Sequence, residues 1–297
     1  MKKTFVLTSC LILIALLSLY LFIQSNCLQV TTYQVHVPRL TEKLEGFRIL
    51  QLSDLHSKKF GRGNSRLLQH ILKINPNIIL MTGDMINATD DDGSVVINLI
   101  QSLEGRYPIL YSLGNHEQLA KQYAKEAGSN KYEDYLISLK ELDVILLDNA
   151  RAEITVENAS IELYGFTLPL TYYTGDKVEN FLFDTEIKAG KLEEALGNTN
   201  PETLTILLAH TPKFFEEYVD WGADLIFSGH VHGGLIRIPG IGGLIAPQQG
   251  FFPDYSSGSY KQRGKTMIVN RGKGSHLLNL RIHNRPQITV VDLVSSQ

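Results

Sequence analysis

Cysteine is almost missing from this chain. Of 297 residues only Cys10 and Cys27 are cysteines, and both lie in or beside an N-terminal apolar run. In one helix they would stand about 25 Å apart, too far to pair. A disulfide framework and a thiolate metal site in the body of the chain are thereby excluded. A charge excess is missing too. Lys and Arg number 28 against 31 Asp and Glu, for a net charge of −3. No basic field invites a polyanion, and no nucleic-acid partner is expected. Internal repeats and low-complexity tracts are also absent. The composition, 43% hydrophobic and 20% charged, excludes disorder and a multi-span membrane protein. The length suffices for one sizeable core or two modest ones.

What is present begins with one long apolar run. Lys2 and Lys3 precede residues 4–23, TFVLTSCLILIALLSLYLFI, which hold no charge, proline or glycine. As a helix this run spans roughly 30 Å, one bilayer core. The lysines ahead of it favour an N-terminus inside and the rest of the chain outside. A cleaved signal peptide is the competing reading. The run is long for such a segment, and FIQSNC is a poor cleavage site. LTSC (7–10) resembles a lipoprotein acylation box but precedes most of the apolar run. The expectation is therefore a stub and transmembrane anchor at 1–23, a linker and first strand at 24–46, and a catalytic domain at 47–297. A single-pass cell-membrane protein with an extracytoplasmic domain follows.

From residue 47 onward, apolar runs alternate with helical patterns. FRILQLS (47–53), NIILMTG (77–83) and YPILYSLG (107–114) read as strands. NSRLLQHILKINP (64–76) reads as a helix, with Asn64 as its N-cap and Pro76 as its stop, and 94–105 as another. A β-α-β-α-β order implies parallel strands joined by right-handed crossovers. A helix near 130–142, a strand at 144–148 and a hairpin over 151–167 come next. A loop-rich insert (168–185), a helix over 185–197, strands at 202–210 and 224–230 around a helix near 213–221, and strands at 265–270 and 287–293 complete the chain. Two sheets flanked by helices accommodate this many strands.

Five apolar runs end in metal-ligand residue types. The first delivers Asp54 and His56, the second Asp84, the third Asn115, His116 and Glu117. Later runs deliver His210, and then His230 and His232. Functional residues of open α/β sheets gather past the carboxyl ends of strands. One such Asp is usually a turn residue or a helix cap, and one such His a solvated or satisfied side chain. Taken together the set points to a site. Asp54 and His56 stand two apart, as do His230 and His232, so in extended backbone each pair points one way. Asp, Asn and His without Cys suit Mn, Fe, Zn or Co. So many ligands exceed what one ion needs, and two ions sharing a bridging carboxylate is the natural reading.

The ordered set Asp54-Leu55-His56, Gly83-Asp84, Gly114-Asn115-His116-Glu117, His210 and Gly229-His230-Val231-His232 resembles the calcineurin-like metallophosphoesterase superfamily. With the anchor and residues 233–255, it is most similar to the membrane-anchored bacterial branch, some of whose members cleave UDP-diacylglucosamine. The resemblance spans 47 to about 293. It implies an α/β fold, a four-layer α/β/β/α sandwich, here with an N-terminal transmembrane helix. It also implies that Asp54, His56 and His232 hold one divalent ion, that Asn115, His210 and His230 hold another, and that Asp84 bridges them. His116 is then the catalytic residue beside the scissile phosphate, donating a proton to the leaving group. The implied activity is a metal-dependent phosphohydrolase acting on a phosphoester or pyrophosphate, with a phosphorylated and lipid-linked substrate in view.

Two further stretches are candidates for anion or lipid contact. Lys58, Lys59, Arg62 and Arg66 follow the first ligands, and Arg271 follows a strand; solvated loops are the plainer reading of both. Leu235, Ile236, Ile238, Ile241, Leu244, Ile245, Phe251 and Phe252 form either a lip that meets lipid or a loop folded over the core. Two other functions compete: a binuclear amidohydrolase built on a barrel, and a non-catalytic metal-binding scaffold at the membrane.

Overall fold

Alternating faces explain why the short apolar runs become buried strands. The structure, a computed structural model, describes residues 2–37, 40–174, 186–188, 190–234, 236–246, 250–274 and 281–295. Its first strands are β1 (Gln29–Val37), β2 (Arg48–Leu52), β3 (Ile78–Thr82), β4 (Ile109–Ser112), β5 (Ile145–Leu147), β6 (Ala150–Val156) and β7 (Ala159–Phe166). Then follow β8 (Leu204–Ala209), β9 (Leu225–Ser228), β10 (Ile236–Ile238), β11 (Gly242–Ala246), β12 (Gly250–Phe251), β13 (Gly258–Gln262), β14 (Lys265–Val269) and β15 (Gln287–Ser295). The helices are α1 (Lys2–Asn26), α2 (Ser65–Ile74), α3 (Ser94–Gln101), α4 (Asn115–Glu126), α5 (Lys131–Glu141), α6 (Thr171–Thr174), α7 (Lys191–Leu196) and α8 (Phe215–Trp221).

One sheet runs β1-β15-β2-β3-β4-β5 and a second β13-β14-β9-β8-β7-β6. Strands β2 to β5 are parallel, and so are β7, β8, β9 and β14. Ile49, Ile78, Leu80 and Leu110 face inward onto Leu163, Ile206, Leu208 and Phe227 of the second sheet. Their neighbours Leu50, Ile79, Met81 and Tyr111 face outward, under Leu67 and Ile71 of α2, Leu99 of α3 and Tyr135 of α5. Leu207, Ile226 and Val269 likewise face out of the second sheet, under Phe215, Tyr218 and Trp221 of α8. The layers are α/β/β/α, as expected, and the period of two sorts each strand between two cores. The two open sheets leave no place for the barrel that an amidohydrolase requires. Gln51 is a polar residue between the sheets. Its buried amide donates to Thr82 Oγ1 and to the Ser228 carbonyl, both at 2.9 Å, and so ties the sheets together beside the strand ends.

Several local expectations change. Asn64 does not cap α2 with its side chain. It takes left-handed backbone, φ 58°, and its Oδ1 accepts the Phe60 N–H at 2.8 Å, closing the preceding loop. Helix α3 stops at Gln101, short of 105. Helix α4 went unread because it has so little apolar surface: Asn115, Glu117, Ala120 and Ala124 are its buried residues. The expected helix over 185–197 contributes Lys191–Leu196; residues 185 and 189 lie outside the described residues, as does most of the 168–185 insert. Segment 24–46 supplies the last turn of α1, the edge strand β1 and a 3-10 turn at Glu42–Leu44. Strand β1 pairs along its length with β15.

The apolar side chains of α1 stand clear of the domain, with Phe5 75% and Leu13 68% exposed. The helix is long and apolar enough to cross a membrane, by length and composition. Among the described residues its last turns touch the domain: Tyr20 Oη accepts the His283 N–H at 3.2 Å, and Gln24 Oε1 accepts that of Asn284 at 3.0 Å.

Candidate metal centre

The eight candidate residues all sit just past the carboxyl ends of β2, β3, β4, β8 and β9. Their backbone is not extended there. Asp54, His56, Asp84, His230 and His232 take left-handed φ of 48°, 46°, 53°, 67° and 53°. Each such residue costs about 1–3 kcal/mol, which persists only where the surroundings over-determine it. The turns also separate what sequence spacing joined. Asp54 and His56 do reach one cluster, but His230 and His232 go to different ones.

The first cluster is Asp54, His56 and His232; the second is Asp84, His210 and His230. In each, one ligand atom per residue lies within 4.8 Å of the others. Within the first, His232 Nε2 is 3.3 Å from Asp54 Oδ1 and 3.3 Å from His56 Nε2. Within the second, His210 Nε2 is 3.0 Å from Asp84 Oδ2. Asp84 Oδ2 also lies 3.9 Å from His56 Nε2, and Asp54 Oδ1 3.9 Å from His210 Nε2. The carboxylates therefore lie between the clusters. A third grouping joins His116 to His56 and Asp84, with the His56 and His116 rings edge to face at 4.6 Å.

Backbone groups set the side chains. Asp54 Oδ1 accepts the His230 N–H at 2.9 Å, and Asp84 Oδ1 accepts the His116 N–H at 2.8 Å. His210 Nδ1 lies 2.7 Å from the Thr82 carbonyl, which can only accept. In the neutral ring the proton is then on Nδ1, which leaves the Nε2 lone pair, on the Asp84 side, to a cation. His116 is the reverse: the Ala88 N–H donates to Nδ1 at 3.1 Å, so in the neutral ring the proton is on Nε2. Gly83 and Gly114 let these strand ends meet. A methyl on Gly83 would fall 2.7 Å from the Gly114 Cα, and one on Gly114 2.2 Å from Asp84 Oδ1.

Electrostatics follow the burial. Burial opposes the charge on Asp84, yet His210, His116 and His56 hold its carboxyl well below the usual range. Burial raises Asp54 instead, with His210 opposing. Burial also works against a charged His210, but Asp84 and Asp54 push it up to about 10 for the side chains alone. A bound cation would compete with that proton. The residues fit divalent cations. The donors are imidazole and carboxylate oxygen and nitrogen, and the buried Asn115 Oδ1 accepts no hydrogen bond from the described residues.

Lys273 and Tyr173 escaped the sequence reading, and Glu117 was named there among the ligand types without the role it has. Glu117 is fully buried and accepts N–H groups of Asp84, Met85 and Gly114 at 2.9, 2.7 and 2.8 Å, and the Tyr111 hydroxyl at 2.6 Å. It locks the β3 and β4 ends together. Only half a capping box is present, the Gly114 N–H on Glu117, because Gly114 has no side chain to complete it, and the sequence pattern therefore gives no such signal. Lys273 is fully buried, its N–H donating to the Asp54 carbonyl at 3.0 Å, and burial pushes it down to about 7. Nothing in Gly-Lys-Gly signals such burial. Tyr173 packs edge-on to His230 at 5.0 Å.

The second-tier candidates scatter. Lys58 donates to the Ser25 carbonyl of α1 at 2.6 Å. Lys59, Arg62 and Arg66 are exposed. Arg271 donates to Gln29 Oε1 at 3.1 Å. In the apolar stretch, Ile241, Phe251 and Phe252 are 68%, 71% and 58% exposed on the small sheet β10-β11-β12, while residues 235 and 247–249 lie outside the described residues.

Comparison with known proteins finds relatives that cover most of this chain. The uncharacterized metallophosphoesterase YkuE of Bacillus subtilis is 27% identical over 286 residues, covering 93% of this chain and 88% of its own. The phosphodiesterase YaeI of Escherichia coli is 28% identical over 253 residues, 84% and 82% of the two chains. The UDP-2,3-diacylglucosamine pyrophosphatase LpxG of Chlamydia muridarum is 24% identical over 303 residues, 91% and 90%. The calcineurin-like phosphoesterase family model matches residues 47–234, which takes in every strand end that carries a candidate ligand. With its two side-chain clusters in that span, the chain belongs to the calcineurin-like phosphoesterases and is a metal-dependent phosphoester hydrolase.

Proposed function

We propose a membrane-tethered phosphohydrolase whose residues 47–297 form the catalytic domain and 1–23 the anchor, with the domain on the extracytoplasmic side. Asp54, His56 and His232 hold one divalent cation, and Asn115, His210 and His230 the other. Asp84 serves both. The observation that carries this reading is the pair of buried triads with the two carboxylates between them. Bound there, two cations supply Lewis acidity to a phosphoryl group and to the attacking water. Mn, Fe, Zn and Co all suit the donor set.

The remaining chemistry belongs to the chain. Asp84 stays ionised between the histidines. Glu117 holds the loops that carry Asp84 and Asn115. His116 presents Nε2–H to the leaving oxygen. Acting as a general acid requires the doubly protonated ring, whose Nδ1 proton displaces the Ala88 hydrogen bond.

The substrate is a phosphoester or pyrophosphate of a lipid-linked envelope molecule, of the UDP-diacylglucosamine kind. Support comes from the apolar α1, from exposed Phe251 and Phe252, and from the activity named for LpxG. A panel of UDP-diacylglucosamine, phosphodiesters and phosphomonoesters, each with and without chelator, tests this. Chelator-sensitive turnover fastest on the lipid-linked pyrophosphate is expected. Faster turnover of soluble monoesters would reject the substrate class.

A further inference from the structure

A second group of charges lies beside the metal centre, and it has no acidic partner among the described residues. Arg237 of β10, Arg271 after β14 and Arg285 before β15 line one cavity of about 340 Å3, with Gln24, Gln29 and His283. Neutral groups hold all three arginines. Arg237 donates to the Gly233 carbonyl at 3.1 Å, Arg271 to Gln29 Oε1 at 3.1 Å, and Arg285 to the carbonyls of Cys27 and Leu28 at 3.0 and 2.7 Å. Among the described residues no Asp or Glu lines the cavity. Elsewhere Arg48, Arg106 and Arg263 pair with Asp292, Glu104 and Asp220; among the described residues these three cavity arginines form no such pair. Like charges gathered around one cavity repel, and an anion relieves that cost. Guanidinium forks match the oxygens of phosphate.

Location narrows the anion. Gln24 lies in the last turn of α1, and Gln29 opens β1. The 239–240 turn of the small sheet forms part of the rim, next to exposed Ile241. The cavity therefore opens where an apolar helix leaves the domain, beside exposed apolar side chains. That is the level at which lipid phosphates stand. The metal centre is its neighbour: Arg271 packs so closely on Gly233, the residue after His232, that a methyl there would fall 2.8 Å from Arg271 Cγ.

We propose that this cavity is a separate binding site for a phosphate group, that of an anionic lipid headgroup or free phosphate. It uses no proposed metal ligand and stands whether or not the hydrolase substrate is lipid-linked.

The test uses the full chain in nonionic detergent with chelator present, so that the metal centre adds no phosphate affinity. Native mass spectrometry measures retention of phosphatidic acid, phosphatidylcholine and inorganic phosphate. Arg237→Gln and Arg271→Gln remove one guanidinium each. Pro239→Glu adds an acid at the exposed rim and leaves the arginines intact, which keeps the test open if an arginine variant misfolds. Retention of phosphatidic acid above phosphatidylcholine, falling on the order of tenfold in the variants, identifies a lipid headgroup. Inorganic phosphate binding lost in the same variants identifies free phosphate. Retention that is equal for both lipids with no phosphate bound, or equal in wild type and variants, overturns the site.

Discussion

Adjacent residues on one turn do different work. Asn115 offers a neutral, buried oxygen without a hydrogen bond from the described residues, whereas His116 has its Nδ1 taken by Ala88. Asn115→Ala is expected to weaken metal binding by more than the roughly 10- to 100-fold typical of outer-shell changes. His116→Ala is expected to keep the metal and lose rate by about 100-fold or more. Metal analysis beside steady-state kinetics separates the two, and loss of metal in the His116 variant would refute the split. Lys273 carries a pH prediction. Its folded value of about 7 lies below the ordinary 10.5, so between these values the unfolded chain binds more protons and stability rises with pH. Denaturant midpoints of metal-free protein across that window should climb. In Lys273→Met they should be flatter and higher at the neutral end. A wild-type profile that falls with pH would contradict this.

Strand ends were the legible elements. The apolar runs and the polar residues that end them could be read because burial on both faces leaves only the strand exit for polar groups. Backbone geometry there could not be read. Left-handed Asp54, His56, Asp84, His230 and His232 are imposed by tertiary contacts, such as the His230 N–H on Asp54, that no local pattern encodes. Helix α4 was invisible because Ala120 and Ala124 make too weak an apolar stripe. Close packing at these exits gives another prediction. A methyl on Gly229 would fall 2.0 Å from Ser53 Oγ and 2.4 Å from Asp54 Oδ2. Gly229→Ala should cost about 1–3 kcal/mol and displace Asp54 from its cluster. Thermal unfolding and metal content check both, and an unchanged metal content would mean that the site tolerates movement there.

Across the whole molecule, the flanked sheets and the exposed apolar helix α1 were legible in periodicity and one apolar run, whereas the cationic cavity was not. Arg237, Arg271 and Arg285 are scattered in sequence and meet only because β10, the turn after β14 and the approach to β15 converge on the end of α1. The same convergence brings five strand exits from two sheets to one edge and makes the chemistry possible. The most direct test strips the purified full chain with chelator and titrates it with Mn2+, following bound metal and hydrolysis of bis(p-nitrophenyl) phosphate together. The account predicts no hydrolysis by stripped protein and full recovery only as a second equivalent binds. Hydrolysis that survives stripping, or that returns fully with one equivalent, would contradict it.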